Sequence, residues 1–337
     1  MKAAVYVGAG DIRIEDVVKP NCAPGQAKIR VHSAGICGTD MAIAAGKHPR
    51  AQAPLIMGHE FAGEVVEIKP EKDGFDIAVG DRVTIYPLLS CGKCLACRSG
   101  FTHVCRELRL IGIDRDGGFA EYVCVPIEIL VKLPADMPYD AGALVEPMAV
   151  GIHAVAMADM DRDQNAVVIG AGPIGLITAL ALRLNGNRQT VLTDVSASRL
   201  DRAAAMGFDV LNAAECDIPA KIMEMTSGEG TDVLFECAGS ESAAEQMCEL
   251  VRCRGKIMMV GVHKALHKVD LRTINFREIT MTGVRVYTWE DYRKAVDAVA
   301  LIPKEQLVSH RLDLADVVRG FELMDNPQVS CKVLFNI

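Results

Sequence analysis

The rhythm of apolar and polar positions changes near Leu144. Before that point the chain reads as short runs divided by glycine and proline. AKIRVH (27–32) alternates apolar and polar positions, as a half-buried strand does. Residues 3–7 alternate little. FAGEVVEI (61–68), RVTIY (82–86) and FAEYVCV (119–125) are strand-like; Gly80-Asp81 makes a turn before the second and Gly117-Gly118 precedes the third. Few segments in this part have helical period, so it predicts a β-rich domain.

After Leu144, helix-length and strand-length segments alternate. Residues 148–157 predict a helix. Strands follow at 166–169, 190–193, 210–211, 232–237, 256–260 and 279–284. Helices fall between them at 173–184, 196–206, 218–226 and 241–252. Asn185-Gly186, Gly207 and Ser227-Gly228 supply the helix stops. Such alternation predicts a parallel sheet covered on both faces. A helix over 289–301 and a strand over 331–335 follow and are assigned back to the first domain. The predicted fold is therefore α/β. A β-rich domain over 1–146 and 285–337 is split around a doubly wound parallel-sheet domain over 147–284, and 337 residues suit two domains better than one.

The stretch 165–194 organises the second domain. The apolar run AVVI (166–169) leads at once into GAGPIG (170–175). Gly170 permits a tight turn. Gly172 lets a pyrophosphate approach the backbone, and Gly175 lets the helix pack close to the strand. Pro173 and Ile174 open the helix, whose first N–H groups and dipole favour phosphate. Asp194 ends the next strand, where a carboxylate accepts hydrogen bonds from the adenosine ribose of NAD and repels the extra phosphate of NADP. Arg199, five residues on, is placed to flank the adenine or soften that repulsion. A merely structural glycine turn leaves Asp194 without a role. The expected cofactor is NAD, with NADP less favoured.

Composition narrows the class. The chain is 50% hydrophobic and 24% charged, which gives ample core. A formal charge of -8 argues against a nucleic-acid or anionic-membrane surface. No apolar run reaches the length of a membrane span, and the N-terminus lacks the apolar core of a signal peptide. The expectation is a cytoplasmic protein with a small-molecule substrate.

Twelve cysteines is a high count for such a chain. Cys91, Cys94, Cys97 and Cys105 fall within fifteen residues, as CxxCxxC, seven residues, then Cys. Two-residue gaps let a tight loop point successive thiolates at one ion, and a fourth closes a tetrahedron, so a zinc here is structural. A Cys91–Cys94 redox pair would leave Cys97 and Cys105 without a role. His103 reads as a bystander. Cys22, Cys124, Cys216, Cys237, Cys248, Cys253 and Cys331 read as small buried hydrophobes.

A second constellation is dispersed. Cys37 lies in GICGTD (35–40), His59 and Glu60 in MGHEF (57–61), and Glu146 in LVEP (144–147) at the domain junction. A thiolate, an imidazole and a carboxylate suffice to hold one zinc and leave a position open. By spacing alone the case for a metal is weak, and a scattered cysteine, histidine and two acids without a shared role is the favoured reading.

Taken together, GICGTD, GHEFAGEVV, the four-cysteine loop, DGGFAEY, LVEP and GAGPIG resemble the zinc-containing medium-chain dehydrogenases of the alcohol dehydrogenase superfamily, in the family order and over nearly the whole chain. The chain is most similar to the polyol branch of sorbitol, sugar-acid, butanediol and threonine dehydrogenases, in which an EP glutamate, matched by Glu146, replaces a cysteine ligand. The resemblance implies a GroES-like catalytic domain beside a Rossmann domain. It implies two zinc ions per chain, one structural and one catalytic. The catalytic ion would be held by Cys37, His59 and either Glu60 or Glu146. Thr39 matches the hydroxyl that passes on the alcohol proton. Ala42 stands where a relay histidine is common, and His48 is a nearby loop histidine. Arg285 matches an arginine carried after the last sheet strand, and Phe119 and Tyr287 are candidate pocket residues, Phe119 and Arg285 toward substrate.

The implied reaction is reversible hydride transfer between NAD and a secondary alcohol of a polyol, sugar or sugar acid. A threonine- or butanediol-type substrate is the alternative within enzymes. A dinucleotide-binding protein without catalysis is the alternative of another class, and it predicts lost zinc ligands. The family implies a homodimer or homotetramer, with the strand at 277–284 as a pairing edge.

Overall fold

Strand Gln26–Gly35 is the hub of the β-rich part, because three other strands pair with it. Glu60–Lys69, Tyr122–Pro126 and Lys332–Asn336 all run antiparallel to it. The computed structural model describes residues 1–187 and 189–337. It comprises two units, Met1–Glu146 with Thr288–Ile337, and Pro147–Tyr287.

In the first unit the main sheet runs Leu130–Lys132, Arg82–Ile85, Glu60–Lys69, Gln26–Gly35, Lys332–Asn336 and Val308–Asp313, with Tyr122–Pro126 added on the central strand. A smaller sheet joins Asp11–Asp16, Lys2–Gly8 and Leu55–Ile56. Ile29, Val65, Val83, Ile85 and Phe335, all on the main sheet, are fully buried, as the apolar positions of alternating runs should be.

The chain re-enters this unit at Thr288, which caps helix Trp289–Val299. Asp291 N–H donates to Thr288 Oγ1 at 3.1 Å, and Thr288 N–H donates back to Asp291 Oδ2 at 3.1 Å. Two later elements, strand Val308–Asp313 and helix Val317–Asp325, were not evident in the sequence pattern.

The second unit is a six-stranded parallel sheet in the order Asp209–Asn212, Thr190–Asp194, Ala166–Ile169, Thr231–Glu236, Val251–Met259 and Thr280–Gly283. The order reverses between Ala166–Ile169 and Thr231–Glu236. In open parallel sheets, ligands bind outside the carboxyl ends of the strands at such a reversal. Leu234, Met247, Leu250, Val251 and Ile257 are fully buried on one face. The helix expected over 241–252 stops at Leu250, and Val251 already opens the next strand. β-Branched Val251 pairs with Thr231 in the sheet, and that pairing outweighs one more helical turn. Among the described residues no helix is long and apolar enough to cross a membrane.

Candidate functional site

The first unit assembles its site through sheet register. Gly35 pairs with Glu60 on one side and with Leu334 on the other. The chain leaving the strand therefore carries Ile36 and Cys37 past Glu60 and past Lys332, two residues before Leu334. Gly35 is required at this crossing, because a Cβ there would overlap the Glu60 carboxylate and press on the Lys332 side chain. Cys37 is then the N-cap of helix Gly38–Ala44, and its N–H donates to Asp40 Oδ2 at 2.9 Å. Gly58, with φ +93°, turns the chain into His59 and Glu60. The Phe119 ring occupies the space that a side chain at Gly58 would need.

Ligand atoms of Cys37, His59 and Glu60 lie within 4.8 Å of one another, with His59 and Glu60 buried. Asp40 is fully buried behind the imidazole, its Oδ1 3.7 Å from His59 Nδ1, and neither atom has a hydrogen-bond partner. With Nδ1 turned toward Asp40, Nε2 is the nitrogen left for an ion. Burial opposes a charge on His59, but Asp40, Cys37 and Glu146 outweigh it and hold its pKa well above the ordinary histidine value. Burial raises the Asp40 carboxyl, with His59 acting against it. Buried acids on several sides of an imidazole make a setting that calls for a cation. A thiolate, an imidazole and a carboxylate are the donor set that zinc takes. Glu146 is buried and acts electrostatically on His59, but it lies outside the three-residue group.

Lys332 supplies a positive charge to the same cluster. It is 2% exposed, pairs with Glu60, and donates from Nζ to the carbonyl oxygen of Ile36 at 2.9 Å. Asp40 and Lys332 were missed in the sequence. Asp40 had a signal, an acid three residues after the N-cap Cys37. Lys332 had a weaker one, a lysine inside the apolar run CKVLF (331–335).

Thr39 lies in the first turn of the Cys37 helix and is partly exposed, and Ala42 is in the same helix. His48 Nδ1 accepts from Ala51 N–H at 3.1 Å in the following loop. Phe119 is fully buried, with its ring edge-on to Phe335 at 5.3 Å and to Phe321 at 6.3 Å, a core-packed position. Tyr287 is likewise fully buried, whereas Arg285 is exposed past the last parallel strand.

The four-cysteine loop is compact. Cys94 Sγ lies 3.4 Å from Cys97 Sγ and 3.9 Å from Cys105 Sγ, and Cys91 Sγ lies 4.0 Å from Cys97 Sγ. A zinc tetrahedron with sulfur ligands has edges of about 3.8 Å, so these spacings fit one. Backbone N–H groups point at the sulfurs: Cys91 to Cys105 at 3.3 Å, Cys94 to Cys91 at 3.4 Å, and Glu107 to Cys105 at 3.3 Å. Backbone donors at Cys97 and Arg106 pull the Cys94 thiol down to about 6, toward the thiolate that binds metal. Burial pushes Cys97 up to about 11 in the same cluster. His103 is not part of this group.

In the second unit, Gly170 has φ +98° and a Cβ there would press on Ala238. Gly172 is the N-cap of helix Pro173–Asn185, and the space over it is open apart from Arg199. A Cβ at Gly175 would overlap the carbonyl oxygen of Gly170. Ile174 follows Pro173 in the first turn. Asp194 ends its strand, accepting from Ala171 N–H at 2.8 Å and from Ser196 N–H at 2.9 Å. Its carboxylate thus ties the glycine turn to the neighbouring strand end. Arg199 pairs with it at 3.5 Å.

Comparison with known proteins places these sites in context. The family model of the alcohol dehydrogenase GroES-like domain matches residues 23–135, and that of the zinc-binding dehydrogenases matches residues 173–300. The chain is 34% identical over 334 residues to a 2-dehydro-3-deoxy-L-galactonate 5-dehydrogenase of Pseudoalteromonas atlantica, covering 97% of this chain and 96% of that protein. It is 33% identical over 329 residues to an L-threonine 3-dehydrogenase of Shewanella frigidimarina, covering 95% of each. The crystal structure of 2R,3R-butanediol dehydrogenase from Bacillus subtilis matches with a TM-score of 0.93 at 30% identity, over 100% of this chain and 99% of that one. With a GroES-like domain, a parallel-sheet domain and relatives matched nearly end to end, the chain belongs to the zinc-containing medium-chain dehydrogenases and is an alcohol/polyol dehydrogenase.

Proposed function

We propose that this dehydrogenase reversibly oxidises a secondary alcohol of a polyol, sugar or sugar acid, with NAD as hydride acceptor and two zinc ions per chain. The observation that carries this reading is the cluster of Cys37, His59 and Glu60, whose ligand atoms lie within 4.8 Å of one another among buried acids. When bound, zinc supplies a Lewis acid at this cluster and NAD supplies the hydride acceptor. Cys37, His59 and Glu60 hold the ion. Asp40 orients the imidazole, and Lys332 balances Glu60. Glu146 adds negative charge from outside the ligand group. Thr39, partly exposed two residues from Cys37, takes the alcohol proton and delivers it to water, because Ala42 offers no acceptor. Cys91, Cys94, Cys97 and Cys105 hold the second, structural ion.

The Asp194 carboxylate supports NAD over NADP, since a ribose phosphate at this position would meet its negative charge. Likeness to a galactonate-type 5-dehydrogenase supports a sugar-acid substrate. Arg285, exposed on the second unit, is a cation of the kind that pairs with a sugar-acid carboxylate. Likeness to a threonine and to a butanediol dehydrogenase supports the second reading, an amino-alcohol or diol substrate. In either case the chain is read as a homodimer or homotetramer.

NADH formation across polyols, sugar acids, threonine and butanediols, each with and without a zinc chelator, tests the proposal. Chelator-sensitive oxidation of a sugar acid or polyol is the expected result. Undiminished turnover in enzyme shown to have lost its metal would remove the catalytic ion from the account. Preferential turnover of threonine or butanediol would select the second reading.

A further inference from the structure

We propose that Cys22 and Cys124 form a dithiol that closes to a disulfide, a modification site separate from the metal-binding thiols. Their sulfurs lie 3.0 Å apart, nearer than the 3.4 Å between Cys94 and Cys97 in the four-cysteine loop. Ordinary non-bonded carbon contacts sit at about 3.5–4.0 Å, and two sulfurs are larger still. Neither cysteine belongs to a group of metal-ligating side chains among the described residues.

The surroundings give closure a structural consequence. Residues 17–25 are an irregular segment between two strands, and Cys22 is its one buried residue. Cys124 lies on strand Tyr122–Pro126, directly opposite Lys28 of the hub strand. Cys22 therefore anchors the segment to the sheet. Lys69 Nζ adds a hydrogen bond to the Cys22 carbonyl oxygen at 2.9 Å. Lys28, paired with Glu67, carries its charge close to both sulfurs. A covalent bond here would make the anchor permanent and close a loop across 102 residues of sequence.

A small-molecule disulfide is the oxidant. One protein thiolate attacks a sulfur of that disulfide, forms a mixed disulfide and releases one thiolate. The second protein thiol gives up its proton and attacks the mixed disulfide. The Cys22–Cys124 bond forms, a second small thiol leaves, and the released thiolates take up the two protons. Two protein thiols are thereby oxidised and one small disulfide is reduced. Burial pushes the Cys124 thiol up to about 12, so closure is slow and needs a sustained oxidising environment.

The test uses the full-length, zinc-loaded enzyme incubated with oxidised glutathione, then alkylated, digested and mapped without reduction. The expected product joins the peptides carrying Cys22 and Cys124 and is two hydrogens lighter than their sum. Its appearance should accompany a rise in unfolding midpoint of about 5 °C that reducing agent reverses and that Cys124→Ser and Cys22→Ala both lack. Recovery of both cysteines alkylated, after thiols elsewhere have reacted, would overturn the proposal. So would separate glutathione adducts on the two residues without a cross-link.

Discussion

Lys332 and Glu60 form an ion pair at the centre of the first unit, with side chains 3% and 2% exposed. Burial opposes the lysine charge, but Glu60, Cys37 and Glu146 outweigh it and hold its pKa above the ordinary value. The pair arises because Gly35 lets both side chains cross the end of the hub strand. It joins the C-terminal strand to the motif that carries His59.

In the metal-free protein, where no ion offsets the Glu60 charge, replacing Lys332 by Met removes one partner and leaves a buried carboxylate uncompensated. Breaking a buried pair from one side costs about 3–5 kcal/mol. The unfolding midpoint should fall on the order of 10 °C. Adding Glu60→Gln to Lys332→Met should restore part of the loss, because the orphaned charge is gone. Chemical denaturation of the four members of this cycle measures the coupling. Additive effects would mean that the two charges do not depend on each other.

The four-cysteine loop yields a separate outcome. Cys97→Ser removes one corner of the tetrahedron and leaves three sulfurs around the ion. Metal analysis should show about one zinc fewer per chain, and thermal unfolding should shift to lower temperature. Turnover per remaining folded molecule should change little, because this loop is distinct from the Cys37 group. A variant with full zinc content and unchanged melting would show that the loop does not bind metal.

Much of this was legible because the signals are local. GAGPIG sits directly between a strand and a helix, so each glycine has a steric role that six residues disclose. The four cysteines likewise announce themselves by spacing. The Cys37 site is different: its members come from separate strands and meet only through the Gly35 register with Glu60 and Leu334. Spacing alone could not assemble it, and Lys332, nearly three hundred positions from Ile36, was out of reach of any local pattern. Phe119 illustrates the converse. An aromatic in a motif reads equally as pocket wall or core, and only the packing of its ring over Gly58 and against Phe321 and Phe335 favours the core.

Asp194 should set cofactor preference. Its oxygens already accept from Ala171 and Ser196 N–H groups, so the carboxylate is held rigidly at the strand end. Asp194→Ser removes the negative charge while keeping a small hydrogen-bonding group. The KM for NAD should rise about tenfold or more, the loss expected for a charged hydrogen-bond partner worth about 1.5–3 kcal/mol. Relative use of NADP should rise, with Arg199 no longer neutralised by its 3.5 Å partner. An unchanged ratio of NAD to NADP turnover would remove Asp194 from the recognition of the ribose.

Acid stability should depend in part on His32. Its ring stacks on Tyr139 with centroids 4.3 Å apart, and its Nε2 is buried without a hydrogen-bond partner. Burial lowers its pKa below 6.5, and Arg30 and Arg82 lower it further against the opposing effect of Glu64. The Arg82 guanidinium lies over the same tyrosine, 3.7 Å from the ring centroid. A protonated His32 would therefore face two cations and lose its solvation. The unfolded chain, with an ordinary histidine, takes up the proton first as pH falls. Stability from the neutral imidazole is thus complete above pH 6.5 and declines as pH drops from there toward the folded-state value. His32→Phe keeps a ring against Tyr139 and removes the titration. Its unfolding midpoint should fall less than that of the parent between about pH 7 and about pH 5.5. Some decline should persist, because burial also lowers His48. Parallel curves for the two proteins over that range would mean that His32 protonates as readily in the fold as outside it.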